Sequence, residues 1–413
     1  MALIFYGWWI VLACFLVALY VGGVLSYGFT AFFDPIVEEF GWSYTQVSIA
    51  FALRGLEMGI LSPVTGVLVD RFGSRKLAFS GALIVGSALI LLGMTNSLLM
   101  FYSACVLLAL GHSATASTVL MTAVAHWFRK NVGKAMGFVA CGFGVGGIFI
   151  PFIVWLIDMY QWRTAFIVLG VAMWALGIPL SFVHRHRPEE YGYSPDGEMA
   201  LELDSIPEDE HPEQDVYFRE AVRSGNFWKV CTAESIRIMI TMAVITHVMP
   251  YLNSIGMSRG RAALVATGVP LLSIIGRFGF GWLGDIYDKK YVLTAAYILL
   301  GLGMLAFAYI HVGWLVLLFL LLFPAALGGT VPLRAAIIRE YFGTTAFGKL
   351  IGMLFGVGAI GAVIGPTAAG WSFDNLGGYQ PGWLVLAGTS VFAIVLVLRI
   401  KAPARTREEE KWG

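Results

Sequence analysis

Five charged side chains interrupt long apolar stretches and are the residues best suited to chemistry inside the fold. They are Arg54, Glu57, Glu234, Arg237 and Arg277. If those stretches cross a bilayer, each charge near the membrane centre costs about 2.5–3.5 kcal/mol, so charges kept there tend to serve a site or an internal ion pair. The pattern therefore predicts a polar site within an otherwise apolar protein.

Arg277 has the clearest predicted role of the five. No acid lies within four residues of it on either side. A guanidinium presents a planar pair of N–H donors that matches a carboxylate, and such charge-assisted bonds are strong where water is scarce. We therefore predict that Arg277 anchors an anion; a structural ion pair with Glu57 or Glu234 is the alternative.

The other four charges form two acid–base pairs with helical spacing. Arg54 and Glu57 are three residues apart, as are Glu234 and Arg237, which places each pair on roughly one helix face. Glu57 is the candidate proton carrier, and a permanent ion pair with Arg54 or Arg237 is the alternative. Glu234 and Arg237 are expected to neutralise each other.

His247 and Tyr251 lie one helical turn apart, near the predicted outer end of the seventh apolar segment. A histidine there could bind a carboxylate or carry a coupling proton. A structural, hydrogen-bonded histidine is the alternative. Both residues are candidates for substrate binding, and His247 is also a candidate for proton coupling.

The composition is that of an integral membrane protein. Hydrophobic residues make up 58% of the 413 residues and charged residues 13%, against about 45–50% and about 25% in soluble domains. A net charge of +1, without basic runs interleaved with aromatic residues, argues against nucleic-acid partners. Because no metal-ligand spacing, nucleotide-binding loop or catalytic pattern is found, we expect no metal, no cofactor and no catalytic residues.

Twelve segments are apolar over roughly the twenty residues that a membrane-spanning helix needs. They cover residues 8–30, 46–69, 77–95, 98–125, 135–157, 164–183, 227–252, 261–284, 291–310, 314–338, 349–371 and 382–400. The fifth and eleventh carry glycine pairs at the GxxxG spacing that permits close helix contact. These pairs are Gly133/Gly137, Gly142/Gly146, Gly352/Gly356 and Gly361/Gly365. Helix packing explains them, and sliding during a conformational change is a further hypothesis.

The basic residues favour one orientation. With both termini in the cytoplasm, the inner loops, linker and tail hold twenty Lys and Arg residues, Arg334 among them, whereas the outer loops hold Arg163, Arg259 and Arg261. Lys and Arg concentrate in cytoplasmic loops. We therefore predict cytoplasmic termini and a location in the plasma membrane, which is the inner membrane in a bacterium.

A hydrophilic, Pro-punctuated stretch divides the chain into two halves. We predict an N-terminal six-helix bundle over 1–183, a cytoplasmic linker over 184–223, a C-terminal six-helix bundle over 224–400 and a cytoplasmic tail over 401–413. At an offset of 215 residues, glycines, acids and a proline recur, as in Gly146/Pro151 and Gly361/Pro366. Two such bundles leave a site near the membrane midplane that rocking exposes to each side in turn.

A loop motif of glycine, acid and base occurs once in each half. Its residues are Gly66, Asp70, Arg71 and Arg75 in the first copy, and Gly281 and Asp285 in the weaker second copy. The motif resembles that of the major facilitator superfamily. The resemblance implies an all-α membrane protein with twelve transmembrane helices in two pseudo-symmetric six-helix bundles. It also implies a gating latch, in which Asp70 and Asp285 would form bonds only when the cytoplasmic side is closed.

A closer resemblance involves Arg277, Gly281 and Asp285, which follow one another at intervals of four residues. This spacing is similar to the eighth helix of the monocarboxylate transporter family, whose arginine holds the substrate carboxylate. Further matches, over all twelve spans, include Tyr6–Trp9, Ser26–Phe29, Trp127–Gly137 and His247–Leu252. Bacterial oxalate–formate antiporters are also similar. The resemblance implies that Tyr27, Phe138 and Phe355 line the pocket, with ordinary core positions as the alternative.

Departures from those families limit what the resemblance implies. The animal members carry a lysine in the first span and an aspartate four residues before the arginine. Here the first span has no basic residue, and Ser273 takes the second position. The antiporter's lysine in the eleventh span is also missing from 350–371. Proton symport and dicarboxylate binding by two cations therefore cannot be transferred, and Glu57 is the coupling candidate instead.

These observations predict a secondary active transporter of a small monocarboxylate or similar organic anion, coupled to protons and working by alternating access. An anion exchanger or a transporter of zwitterions, such as amino acids or sulfonates, is the alternative on the same fold. A non-transporting membrane receptor is the alternative from another class. The expected partners are the anion, the lipid bilayer and a co-transported proton, and the expected functional unit is a monomer.

Overall fold

The structure is a computed structural model that describes residues 5–53, 55, 59, 61–115, 117–128, 131–185, 218–343 and 346–400. The side chains of Ser62, Pro63, Asp70 and Ser117 are also outside the described set. Two predicted site residues, Arg54 and Glu57, therefore lie outside the described residues. So do 186–217 of the predicted linker and the predicted tail over 401–413.

Regular secondary structure in the described residues is entirely helical. In the first half the helices are α1 (Tyr6–Tyr20), α2 (Phe33–Phe40), α3 (Tyr44–Ala52), α4 (Ser62–Phe72), α5 (Ser74–Gly93), α6 (Leu98–Thr115), α7 (Ser117–Trp127), α8 (Val132–Val145) and α9 (Phe149–Val183). In the second half they are α10 (Phe218–Arg223), α11 (Gly225–Ser254), α12 (Arg259–Ile286), α13 (Lys289–Ala308), α14 (Leu315–Phe342), α15 (Phe347–Leu376) and α16 (Gln380–Leu398).

The described helices have the length and surface of membrane spans. Ten helices or helix runs among them are long and apolar enough to cross a bilayer. Large apolar side chains face outward without a protein neighbour, for example Leu317 and Leu321, which are 72% and 68% exposed. Such a surface is typical of contact with lipid. The chain is therefore an integral membrane protein.

One helix run is long enough for more than one crossing. Val132–Val183 contains 52 residues, which at about 1.5 Å per residue is more than twice the hydrocarbon thickness of about 30 Å. Gln161 interrupts the run with φ 67° and ψ 156°, so the helix is broken between the predicted fifth and sixth spans. The total of twelve spans remains a prediction.

Short connections make consecutive long helices alternate in direction. We call one end of the bundle the linker end, because α1 and α11 begin there and α9 and α16 end there. The opposite end, called the far end, carries the connections at 41–43, 94–97, 255–258 and 377–379. The linker end corresponds to the predicted cytoplasmic side.

Local sequence fixes the helix ends at the far end. Gly41 ends α2 and Gly377 ends α15, both in left-handed conformations with φ of 66° and 76° that favour glycine. Ser43 begins α3 with a capping box, in which its hydroxyl accepts from the Gln46 N–H and the Gln46 side chain accepts from the Ser43 N–H. These caps hold α3 and α15 where the two halves meet.

Candidate functional site

The first helix is distorted where it passes the centre of the protein. After α1, residues Val21–Tyr27 form π-helical turns and Gly28–Phe32 form a 3₁₀ helix. A Cβ on Gly22 would lie 2.5 Å from the Phe143 carbonyl oxygen, so the two backbones are in direct contact. π-helical turns often occur at functional sites. Here they place Tyr27 at the junction of the two distorted segments.

Arg277 lies on α12 and contacts the opposite half of the molecule. Its Nη1 donates a hydrogen bond to the Ala140 carbonyl on α8 at 3.0 Å, and its buried Nε has no hydrogen-bond partner. Among the described residues, no carboxylate forms an ion pair with it. Ser273, one turn earlier, uses its hydroxyl to donate to the Pro270 carbonyl at 2.7 Å. The charge of Arg277 therefore remains unneutralised within the described part of the chain.

Tyr27 lies within electrostatic range of two charged side chains. The charges of Arg277 and Arg237 both act on its hydroxyl. It also lines a small cavity together with apolar side chains of α11 and α12, including Val248 and Ala266. Tyr27 is thus a predicted pocket residue that lies within electrostatic range of the predicted anion anchor.

Glu234, Arg237 and Arg334 form a buried group that we call the charge cluster. Arg237 donates from Nε to Glu234 Oε2 at 2.8 Å and from Nη2 to Glu234 Oε1 at 2.6 Å, in a bidentate pair. Arg334, on α14, donates a further bond from Nη1 to Glu234 Oε1. The guanidinium of Arg334 also lies 4.6 Å from the ring centre of Phe355. Glu234 does not reach Arg277, so the alternative ion pair between these two is not formed.

Arg334 corrects the sequence-based assignment, which placed it in an inner loop. It lies within α14, and its side chain is only 15% exposed. The sequence contained the signal, because Arg334 falls inside the apolar segment 314–338. Because Arg334 lies near the end of that segment, its sequence position alone is also compatible with an inner loop.

His247 and Tyr251 are buried and hydrogen-bonded at the far end. His247 is fully buried, with Nδ1 3.0 Å from the Tyr379 hydroxyl and Nε2 2.9 Å from the Pro366 carbonyl and 3.0 Å from the Ser48 hydroxyl. The Tyr251 hydroxyl donates to the Ala308 carbonyl at 3.0 Å. Both side chains are committed to packing at the far end. These contacts favour the structural alternative for His247, and the binding role of both residues remains a prediction.

The two phenylalanines predicted to line the pocket lie in different surroundings. Phe138 is 48% exposed and packs against Phe15 with 4.7 Å between ring centres. Phe355 is partly buried beneath the Arg334 guanidinium. Phe355 therefore belongs to the charge cluster, whereas nothing links Phe138 to the described charges.

The motif residues occupy the linker end. Arg71 and Arg75 are exposed, and Arg75 lies 5.0 Å from the ring centre of Phe182. Asp285 is exposed at the end of α12, and Gly281 faces Pro332. A Cβ on Gly66 would meet no described atom within 4 Å. The gating role of these residues remains a prediction.

Direct bonds join the two halves at the far end. Asp374 on α15 accepts hydrogen bonds from the backbone N–H groups of Tyr44 at 3.1 Å and Thr45 at 2.8 Å, so it caps α3 from the other half. Further connections are Thr30 to the Thr246 carbonyl, Asn253 to Asp34, Arg259 to Asp158 and Ser48 to His247. The far end is closed in this state. Sequence analysis missed Asp374, an acid that follows the eleventh segment.

The glycine pairs differ between the two ends. A Cβ on Gly142 would lie 2.8 Å from the Phe15 carbonyl, and one on Gly361 or Gly365 would overlap the α11 backbone. At the linker end, a Cβ on any of four glycines would meet no described atom within 4 Å. These are Gly133, Gly137, Gly352 and Gly356. The helices are therefore tightly packed toward the far end, whereas toward the linker end these four glycine positions have no close contact with described atoms.

Comparison with known proteins is consistent with this architecture. The sequence profile of the Major Facilitator Superfamily matches residues 10–260 and 236–413. Monocarboxylate transporter 12 of Rattus norvegicus is 24% identical over 98% of this chain and 87% of its own length. The oxalate:formate antiporter of Oxalobacter formigenes is 24% identical over 94% of this chain and 90% of its own length.

A solved structure shares the fold at low sequence identity. It is that of a bacterial homologue of the human lysosomal transporter Spinster in an inward-facing, occupied conformation, with a TM-score of 0.68 and 15% identity. The alignment covers 95% of each chain. Because the family profile spans nearly the whole sequence and the helical architecture agrees with it, the chain belongs to the Major Facilitator Superfamily and is a membrane transporter.

Proposed function

We propose that this protein transports small organic anions that carry a carboxylate, by alternating access, with Arg277 as the anion anchor. The observation that carries the proposal is the guanidinium between α12 and α8, which no described carboxylate neutralises and whose Nε has no hydrogen-bond partner among the described residues. A carboxylate bound there would satisfy the free donor and neutralise a charge that is costly to keep in a dry interior.

The surroundings of Arg277 support a small substrate. The Arg277 guanidinium acts electrostatically on the Tyr27 hydroxyl, and Tyr27 lines a small cavity together with apolar side chains of α11 and α12. Such sites are mainly apolar, with a few polar groups that fix the ligand's orientation. Two relatives, by name a monocarboxylate transporter and an oxalate:formate antiporter, support the same substrate class.

The same observation favours exchange over net transport. When the site is empty, closing both ends around Arg277 would enclose a cation that no described carboxylate neutralises, which costs several kcal/mol. A bound carboxylate removes that cost, so the loaded protein should change conformation faster than the empty one. We therefore propose that exchange of one anion for another is the faster mode.

Transport by purified protein in sealed liposomes tests this proposal. Liposomes are preloaded with an excess of one unlabelled acid, and uptake of the same labelled acid is followed for formate, acetate, lactate, pyruvate, oxalate and benzoate. We expect exchange of at least one acid by the wild type, slower net uptake into unloaded liposomes, and no exchange by Arg277→Gln. Exchange of neutral or zwitterionic solutes alone, or full activity of Arg277→Gln, would contradict the proposal.

A further inference from the structure

We propose that Arg334 is a second anchor for the substrate carboxylate and that Glu234 occupies it until the substrate arrives. This inference rests on the proposed function, because it assigns a further binding residue to an anion site. It comes from the arrangement of the charge cluster, in which one carboxylate is shared by two guanidinium groups.

The bonds within the cluster show which cation is in excess. Arg237 alone satisfies both oxygens of Glu234, through bonds of 2.8 and 2.6 Å. Arg334 adds its bond to Oε1, an oxygen that Arg237 already uses. Two cations thus share one anion, and the described cluster carries a surplus of one positive charge.

Exposure identifies Arg334 as the member that can reach a ligand. Its side chain is 15% exposed, compared with 7% for Arg237 and 2% for Glu234. It comes from α14, whereas the other two residues share α11. Its guanidinium lies over Phe355, and the next residue, Gly356, has no described atom within 4 Å of its Cβ position. Arg334 is therefore the least buried side chain of the charge cluster.

An exchange of carboxylates at Arg334 is chemically balanced. If Arg334 leaves Glu234, that carboxylate keeps its bidentate partner, so no unpaired anion is left behind. An incoming substrate carboxylate replaces the bond that Arg334 gives up and also neutralises the surplus charge. Glu234 thus resembles a built-in substitute for the substrate, which keeps Arg334 in place while the site is empty.

Binding measurements on the wild type and four variants test the proposal. They are the wild type, Arg334→Gln, Glu234→Gln and the double variant, with Arg339→Gln as a control that removes an exposed arginine from the same helix. The probes are formate, acetate, lactate, pyruvate, oxalate and benzoate, titrated into detergent-purified protein. The dissociation constant and the melting temperature without ligand are measured for each protein.

We expect Arg334→Gln to bind the acids about tenfold more weakly, which corresponds to the loss of one charge-assisted contact. Glu234→Gln should bind about tenfold more tightly, because no internal carboxylate then competes for Arg334. The double variant should lose that gain, and Arg339→Gln should bind like the wild type. This pattern isolates the competition between Glu234 and the ligand.

Other results would overturn the proposal. Arg334→Gln with a lower melting temperature but an unchanged dissociation constant would mean that Arg334 is only structural. Arg334→Gln removes only the surplus charge and leaves the pair of Glu234 and Arg237 intact. It therefore tests whether Arg334 binds the acids even if Glu234→Gln fails to fold. If acids bind the wild type and require Arg277 but not Arg334, only this inference is wrong. If no acid binds the wild type, the proposed function is wrong as well.

Discussion

Arg277 and Ala140 are joined by a hydrogen bond of 3.0 Å between the guanidinium of α12 and a backbone carbonyl of α8. The bond crosses from one half of the protein to the other and leaves the arginine's charge unneutralised by any described carboxylate. A carbonyl is a weaker partner for a guanidinium than a carboxylate is. Anion binding at Arg277 would therefore change the contact between the halves as well as fill a site.

Replacement of His247 should affect stability and leave acid binding intact. His247→Ala removes contacts to Ser48, Pro366 and Tyr379 and leaves buried polar groups without partners. We expect a loss of about 2–3 kcal/mol in stability, seen as a lower melting temperature in detergent. Dissociation constants for the acids should match those of the wild type. Loss of acid binding at an unchanged melting temperature would show instead that His247 is a substrate ligand.

Removal of Asp374 should make the far end open more often. Asp374→Ala deletes the carboxylate that caps α3 from the other half, which is worth about 1 kcal/mol or roughly a fivefold change in an equilibrium. Opening of the far end is measured with a cysteine introduced at Thr246. Its rate of maleimide labelling is compared with that of the protein without the added cysteine.

We expect labelling about fivefold faster in the Asp374→Ala background. The matched control is Glu39→Gln, since Glu39 lies at the same end but pairs with Arg163 and Trp162 within its own half. Equal labelling rates in the two backgrounds would show that Asp374 does not hold the far end closed.

Two glycines on α15 should respond differently to the same substitution. A Cβ on Gly365 would overlap the Met239 carbonyl oxygen, whereas one on Gly352 meets no described atom within 4 Å. Gly365→Ala should therefore cost about 1–3 kcal/mol in stability, and Gly352→Ala should leave the melting temperature unchanged. A greater loss of stability in Gly352→Ala than in Gly365→Ala would contradict this difference in packing between the two positions.

Glu57→Gln tests the proposal that Glu57 carries a coupled proton. A glutamine cannot exchange a proton, but it keeps nearly the same shape. We expect uptake driven by a pH gradient to be lost, while exchange of labelled for unlabelled acid in preloaded liposomes continues. If exchange disappears together with gradient-driven uptake, Glu57 takes part in substrate binding, as a zwitterionic substrate would require.

The sequence was sufficient to predict the helical membrane fold, because apolar length and glycine motifs are local properties of the chain. It also indicated that Arg277 lacks a neighbouring acid. It placed Arg334 inside an apolar segment but could not show its contacts. Whether a cation near the end of such a segment points to solvent or to Glu234 depends on packing between α11 and α14. It could not show the contacts of His247 either, since Ser48, Pro366 and Tyr379 are all distant in sequence.

The most direct test of the central claim is a thermal-shift panel of carboxylic acids on detergent-purified wild type, Arg277→Ala and Arg261→Ala. Arg261 is an exposed arginine at the start of the same helix and serves as the matched control. The account predicts that at least one acid raises the melting temperature of the wild type and of Arg261→Ala but not that of Arg277→Ala. Equal stabilisation of all three proteins would show that Arg277 does not anchor the anion.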